Sequence, residues 1–180
     1  TRLATLFPYT TLFRSSGNDM WGGTDCATFL YRSAGKEAFD CSLLVTGIDC
    51  PQIAAATRFG ISVRSSLVPA ETNAFALYMG MSGLGDIRGY ADTDPTNGKL
   101  SLNTWFPAFT SPSFTAPPFV LRAVRERLGA NDRYILSCEA VNGTWSFAQT
   151  QEVARTENVY VGPLSISQYT AGTALTQYAF

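Results

Sequence analysis

Five side chains carry the binding chemistry this sequence could offer: Arg64, Tyr78, Tyr90, Trp105 and Arg122. In Arg58–Ser65, Phe59, Ile61 and Val63 alternate with Gly60, Ser62 and Arg64. A strand there turns Ser62 and Arg64 away from the apolar side. Arg122 stands in the same relation to Leu121 and Ala123. Arginine offers a planar fork to paired hydroxyls or to a uronate carboxylate, and aromatic rings offer faces to sugar C–H surfaces. Two arginines on an outer face, Tyr78 and Tyr90 on intervening strands and Trp105 at the rim would suit a polysaccharide chain. The same arginines could instead pair with Asp86, Asp92 or Glu126 and only solubilise the sheet.

Several chemistries drop out. The chain has no histidine, which removes Ser-His-Asp and Cys-His nucleophile pairs, histidine bases and most transition-metal sites. Glu37, Glu71, Glu126, Glu139, Glu152 and Glu157 are solitary, so no E-x-D-x-x-E array of the glycosidase kind exists. A lyase could draw a base and a neutraliser from Tyr31, Arg64 and Tyr78. Strand tyrosines and arginines are far more often structural.

Metal and thiol chemistry is thin. "DTDPTNG", Asp92–Gly98, approaches a calcium loop, but its proline pushes Asn97 one place too far, so a hairpin turn is expected. Asp19 and Asp25, around "MWGGTD", could hold calcium. Cys26, Cys41, Cys50 and Cys138 are too widely spaced for a zinc knuckle. Two disulfides and four buried free thiols are equally open readings. If Cys26–Arg32 and Phe39–Val45 form a hairpin, Cys41 lies near Leu30 and Cys50 returns toward Cys26. That register favours a Cys26–Cys50 bridge.

The chain has 180 residues and a net charge of −1, one domain's worth with enough length for a real core. Its opening stretch, "TLFPYTTLFRS" at Thr5–Ser15, resembles the in-frame translation of a common sequencing-library adapter. Residues 1–15 are therefore expected to be non-native, with a single natural domain over 16–180 as a fragment of a larger protein. Without them 11 basic residues face 14 acidic ones, a net charge near −3. Lys36 and Lys99 are the only lysines and no basic stripe exists, so nucleic acid and anionic membrane are poor partners. No apolar run approaches the roughly 18 residues of a spanning helix.

Aromatic and β-branched blocks separated by Gly, Pro, Asn, Asp and Ser clusters set an all-β rhythm. Strands are expected over Cys26–Arg32, Phe39–Gly47, Arg58–Ser65, Asn73–Met81, Asp86–Asp92 and Lys99–Trp105. Others follow over Phe119–Glu126, Arg133–Ala140, Trp145–Gln151, Val159–Tyr169 and Ala174–Phe180. With no helices between them they must form two stacked sheets or a barrel. The Pro-rich Phe106–Pro118 reads as a surface loop. "NGT" at Asn142–Thr144 is both a sequon and a type I′ turn signal, and the turn is expected. Trp145 is expected in the core.

At "NDMWGGTDCATFLYR" (Asn18–Arg32) the chain resembles the concanavalin A-like lectin/glucanase superfamily, in the laminin-G-like jelly-roll branch of secreted bacterial proteins. Asp19, Met20, Trp21, Gly22, Asp25, Phe29 and Tyr31 match that branch's opening motif. "GISVRSSL" (Gly60–Leu67), "FVLRAVRERLGANDRYILSCEAVNGTW" and the closing "VYVGPLSISQY...ALTQYAF" resemble later blocks in order. Ala27, Ser137 and Cys138 depart from the branch's aromatics, and both ends stop short of its pattern. The resemblance implies an all-β, two-sheet antiparallel jelly-roll sandwich, truncated at both ends. It further implies a non-catalytic extracellular or cell-surface module that binds a polysaccharide or glycan, or serves adhesion, with additional domains in the same chain. A structural spacer and, less favoured, a lyase- or glycosidase-type enzyme are the alternatives.

Overall fold

Period-2 alternation dominates the described chain. The structure, a computed structural model, describes residues 12–15, 28–49, 58–67, 74–82, 87–92, 104–105, 118–166 and 176–179. Its strands in chain order are β1 (Leu12–Ser15), β2 (Thr28–Phe29), β3 (Arg32–Ser33), β4 (Phe39–Val45), β5 (Gly47–Asp49), β6 (Arg58–Arg64) and β7 (Ala76–Ser82). They continue with β8 (Ile87–Asp92), β9 (Thr104–Trp105), β10 (Phe119–Leu128), β11 (Asn131–Ala140), β12 (Ser146–Ala154), β13 (Tyr160–Ile166) and β14 (Thr176–Ala179).

The larger sheet runs β2-β13-β6-β7-β8-β9, with β3 also on β13; the smaller runs β12-β11-β10-β4; a third joins β1, β14 and β5. Neighbouring strands are antiparallel. The chain crosses between the two main sheets after β3, after β4 by way of β5, and after β9 and β12. This is an all-β, two-sheet antiparallel jelly-roll sandwich.

The alternation decides which side chains meet between the sheets. The smaller sheet contributes Phe39, Cys41, Leu43, Phe119, Leu121, Ala123, Tyr134, Leu136 and Cys138; the larger contributes Phe59, Ile61, Val63, Leu77, Met79 and Val161. Burying each large apolar side chain is worth about 1.5–3 kcal/mol, which fixes register because a one-residue slip would turn the whole set outward. Trp145 packs against this core, 5.9 Å from Phe147 and 6.5 Å from Phe119 between ring centroids.

Three local expectations need correction. The proposed hairpin between residues 26–32 and 39–45 does not form. β2 and β3 pair with β13, whereas β4 pairs with β10 in the other sheet. Residues 34–38 are a crossover, and the register that favoured Cys26–Cys50 is gone. Cys41 and Cys138 are free and buried; Cys26 and Cys50 lie outside the described residues, as do Asp19, Asp25, Trp21 and residues 106–117. The expected strand over 26–32 breaks between β2 and β3 as it passes Gly162, where an added Cβ would lie 3.1 Å from the Tyr31 Cα. The turn at Asn142 is wider than type I′. The Ala140 N–H bonds the Trp145 carbonyl across residues 141–144, Gly143 takes φ 72°, and Asn142 Oδ1 accepts from the Thr144 N–H at 3.2 Å and its hydroxyl at 2.7 Å.

Leu12–Ser15, inside the adapter-like stretch, pairs with β14. An exposed edge accepts extended backbone of almost any sequence.

Candidate functional site

β6 is buried on both faces. Phe59, Ile61 and Val63 enter the core, while Arg58, Ser62 and Arg64 alternate with them on the opposite face and are buried there too. Register carries this second face across the larger sheet. Ser62 stands opposite Gly162 on β13 and Tyr78 on β7; Tyr78 stands opposite Tyr90 on β8, and Tyr90 opposite Trp105 on β9. Arg64 stands opposite Tyr160 on β13. Four of the five expected binding residues thus share one sheet, three of them in a single cross-strand row.

Tyr78 is only 2% exposed, and its ring leans over two glycines. A Cβ on Gly60 would meet the ring at 2.6 and 2.7 Å, and one on Gly80 would meet its hydroxyl oxygen at 2.6 Å. The hydroxyl donates to the Met81 carbonyl at 3.5 Å. Ser62 donates to the Leu77 carbonyl at 2.8 Å and accepts from Arg64 Nε at 3.3 Å. Arg64, 6% exposed, places its guanidinium carbon 5.3 Å from the Phe29 ring centroid, within cation–π range.

From Phe29 an aromatic file runs to the surface. Phe29 and Tyr31 lie 5.6 Å apart, and Tyr31 meets Tyr160 edge-on at 5.3 Å with an interplanar angle of 82°. Tyr31 is 47% exposed, Tyr160 is half-buried, and Ser33 beside them is exposed. Sequence reasoning placed Tyr31 in an opening motif and in a lyase-type set, not in a binding site, and passed over Tyr160. The signal that could have found the pair is β13 itself, whose glycine and proline at Gly162 and Pro163 admit a second strand closely.

Arg122 belongs elsewhere. β10 lies in the smaller sheet and Arg122 faces outward from it, so the two arginines occupy opposite sides of the sandwich. Arg122 is engaged by Asp40 through Nε–Oδ1 at 2.7 Å and Nη2–Oδ2 at 2.5 Å, and that hydrogen bond raises the guanidinium pKa further. Arg64 and Arg122 therefore share no face.

A second charged group was missed entirely. Arg125 and Asp132 form a fully buried ion pair, with Nε–Oδ2 at 2.9 Å, and Arg155 reaches the other carboxylate oxygen at 3.2 Å. Arg125 also donates to the carbonyls of Gly35 at 2.8 Å, Glu37 at 3.4 Å and Thr156 at 2.9 Å, and lies 5.8 Å from the Tyr134 ring centroid. Among the described residues no group of three or more acids and cysteines could hold a metal.

No family model matches this chain, and no curated protein matches it. Solved structures do. A functionally unknown protein from Saccharomyces cerevisiae has a TM-score of 0.61 at 17% identity, over 94% of this chain and 84% of that one. The metal-free form of lectin I-B4 from Griffonia simplicifolia gives 0.47 at 11% identity, over 90% of this chain and 73% of that one. A lectin from Bauhinia forficata in complex with GalNAc gives 0.46 at 8% identity, over 95% of each chain. The likeness to the yeast protein is one of fold.

Proposed function

We propose that this domain is a non-catalytic, extracellular carbohydrate-binding module whose glycan docks on the Tyr31–Tyr160 rim of the larger sheet. The observation that carries the reading is an exposed ring, Tyr31, held between Phe29 and Tyr160. A ring already fixed by neighbours loses little freedom on binding and offers a flat face to sugar C–H groups. Ser33 and the two tyrosine hydroxyls add hydrogen-bonding groups suited to sugar hydroxyls. Arg64, buried behind the rim, supports it from beneath through Phe29. Tyr90 and Trp105 continue the Tyr78 row in register away from it.

Absence of catalysis in this proposal rests on the lack of histidine and on where four of the described carboxylates go. Asp40, Asp132, Glu126 and Glu152 all face arginines. The extracellular setting rests on the sequence resemblance alone, since Cys41 and Cys138 are free thiols.

One observation favours a spacer instead. The outer face of the smaller sheet is lined with ion pairs, Arg122–Asp40 and Arg133 with Glu126 and Glu152, which serve solubility as well as anything else. The test is retention of the purified domain on an array of neutral and acidic polysaccharides. Selective retention supports the binding module. No retention across a broad array transfers the function to the spacer.

A further inference from the structure

The two tyrosines of the rim come from chain segments far apart in sequence, Tyr31 ahead of β3 and Tyr160 at the start of β13. The β3–β13 pairing joins them at Ser33 and Tyr160, and beyond it one backbone bond runs from the Ala34 N–H to the Val159 carbonyl at 2.8 Å. One and three residues past Ala34, and three before Val159, the same pattern recurs through a side chain. Arg125 Nη1 donates to the carbonyls of Gly35 and Glu37, just after β3, and its Nη2 donates to the carbonyl of Thr156, just before β13. Nε and Nη2 are both taken by Asp132, which Arg155 holds in turn. The fork is oriented by the carboxylate and spends its remaining donors on the two segments that present the rim.

From this geometry we infer that Arg125 is a positioning residue for the aromatic rim, clamping the Tyr31 and Tyr160 segments to one another and to β10. Its planar fork is what allows one cation to satisfy carbonyls on both segments and a carboxylate together; an ammonium on a flexible stem has no such fixed geometry. Gly35, at φ 54°, is the turn residue that aims its carbonyl at the clamp. The inference builds on the rim as the binding surface, but the clamp can be tested without any ligand.

Amide hydrogen exchange on the full chain, unaltered and as Arg125→Lys, is the experiment. Lysine keeps the charge beside Asp132 and loses the fork. The Ala34 amide should exchange at least about tenfold faster in the variant, while amides within β10 and β11 near Leu121 and Leu136 keep their rates, the pattern of a local opening. Unchanged Ala34 exchange overturns the inference. So does uniform acceleration of all amides, which marks a merely structural arginine. The double variant Arg125→Gln/Asp132→Asn leaves neither of these partners as an uncompensated charge and repeats the test if the lysine variant fails to fold. A glycan retained by the unaltered domain should bind the Arg125→Lys variant about tenfold more weakly. If no glycan binds at all, the functional reading fails while Ala34 still judges the clamp.

Discussion

Arg122 on β10 grips Asp40 on β4 with two parallel hydrogen bonds, at 2.7 and 2.5 Å, across the outer face of the smaller sheet. Both side chains are nearly half exposed, so solvent screens most of the Coulomb attraction and the pair is worth about 0.5–1 kcal/mol at best. Arg122→Ala should lower stability by that amount in urea denaturation and leave glycan retention untouched. Loss of binding on this substitution would move the site to the other side of the sandwich.

Tyr78 and the neighbouring backbone together fix the residue type at two positions. A Cβ on Gly60 would meet the Met79 carbonyl at 2.3 Å and the Tyr78 ring at 2.6 Å, and one on Gly80 the Phe59 carbonyl at 2.3 Å and the Tyr78 hydroxyl oxygen at 2.6 Å. Each alanine substitution should cost about 1–3 kcal/mol through overpacking. Trimming the ring in a Gly80→Ala/Tyr78→Leu double variant should return part of that loss. Denaturant midpoints for the single and double variants decide it, and strict additivity would contradict the contact.

These two glycines mark where sequence reading stopped short. Alternation along Arg58–Arg64 correctly turned Phe59, Ile61 and Val63 inward, but the burial of Ser62 and Arg64 on the far side is a tertiary fact that a strand's own pattern does not carry. Strand positions were similarly legible from turn residues, and strand partners were not: residues 26–32 and 39–45 looked like a hairpin because they are adjacent, yet β2 and β3 lie in one sheet and β4 in the other. Arg125 was within reach. The inward series Phe119, Leu121, Ala123 continues to Arg125, and Tyr134, Leu136 and Cys138 point back to Asp132. Arg125 lay inside the expected strand Phe119–Glu126 and Asp132 just ahead of Arg133–Ala140, and neither was followed inward, although period 2 puts both there.

Tyr134 offers a stabilising substitution. Its hydroxyl is buried with no hydrogen-bond partner among the described residues, and burial pushes its pKa upward. An unsatisfied buried hydroxyl costs about 1–3 kcal/mol. Tyr134→Phe should therefore raise the melting temperature while keeping the ring packing on Phe39 and Phe75. A clear drop would show that the hydroxyl has a partner.

The thiols should be inert while the protein is folded. Burial raises the Cys41 pKa from 9.0 to about 12, with a backbone hydrogen bond at Ala123 opposing it, and burial raises Cys138 as well. Folded protein should resist a thiol reagent at pH 8 that modifies both cysteines after denaturation. Since the folded state keeps a proton that the unfolded chain releases above about pH 9, stability should fall as pH rises from 9 toward 12. Cys41→Ala should flatten that decline; an equal slope in the variant would assign it to other groups.

The account turns on the aromatic rim, and Tyr31→Ala tests it most directly. Tyr31 is exposed and lies outside the sandwich interior, so the substitution should leave the melting temperature within about 2 °C of the unaltered domain. Calorimetric titration with whichever polysaccharide the array retains should show affinity falling at least tenfold for Tyr31→Ala and staying constant for Arg122→Ala. Equal affinity of Tyr31→Ala and the unaltered domain would contradict the rim as the binding surface.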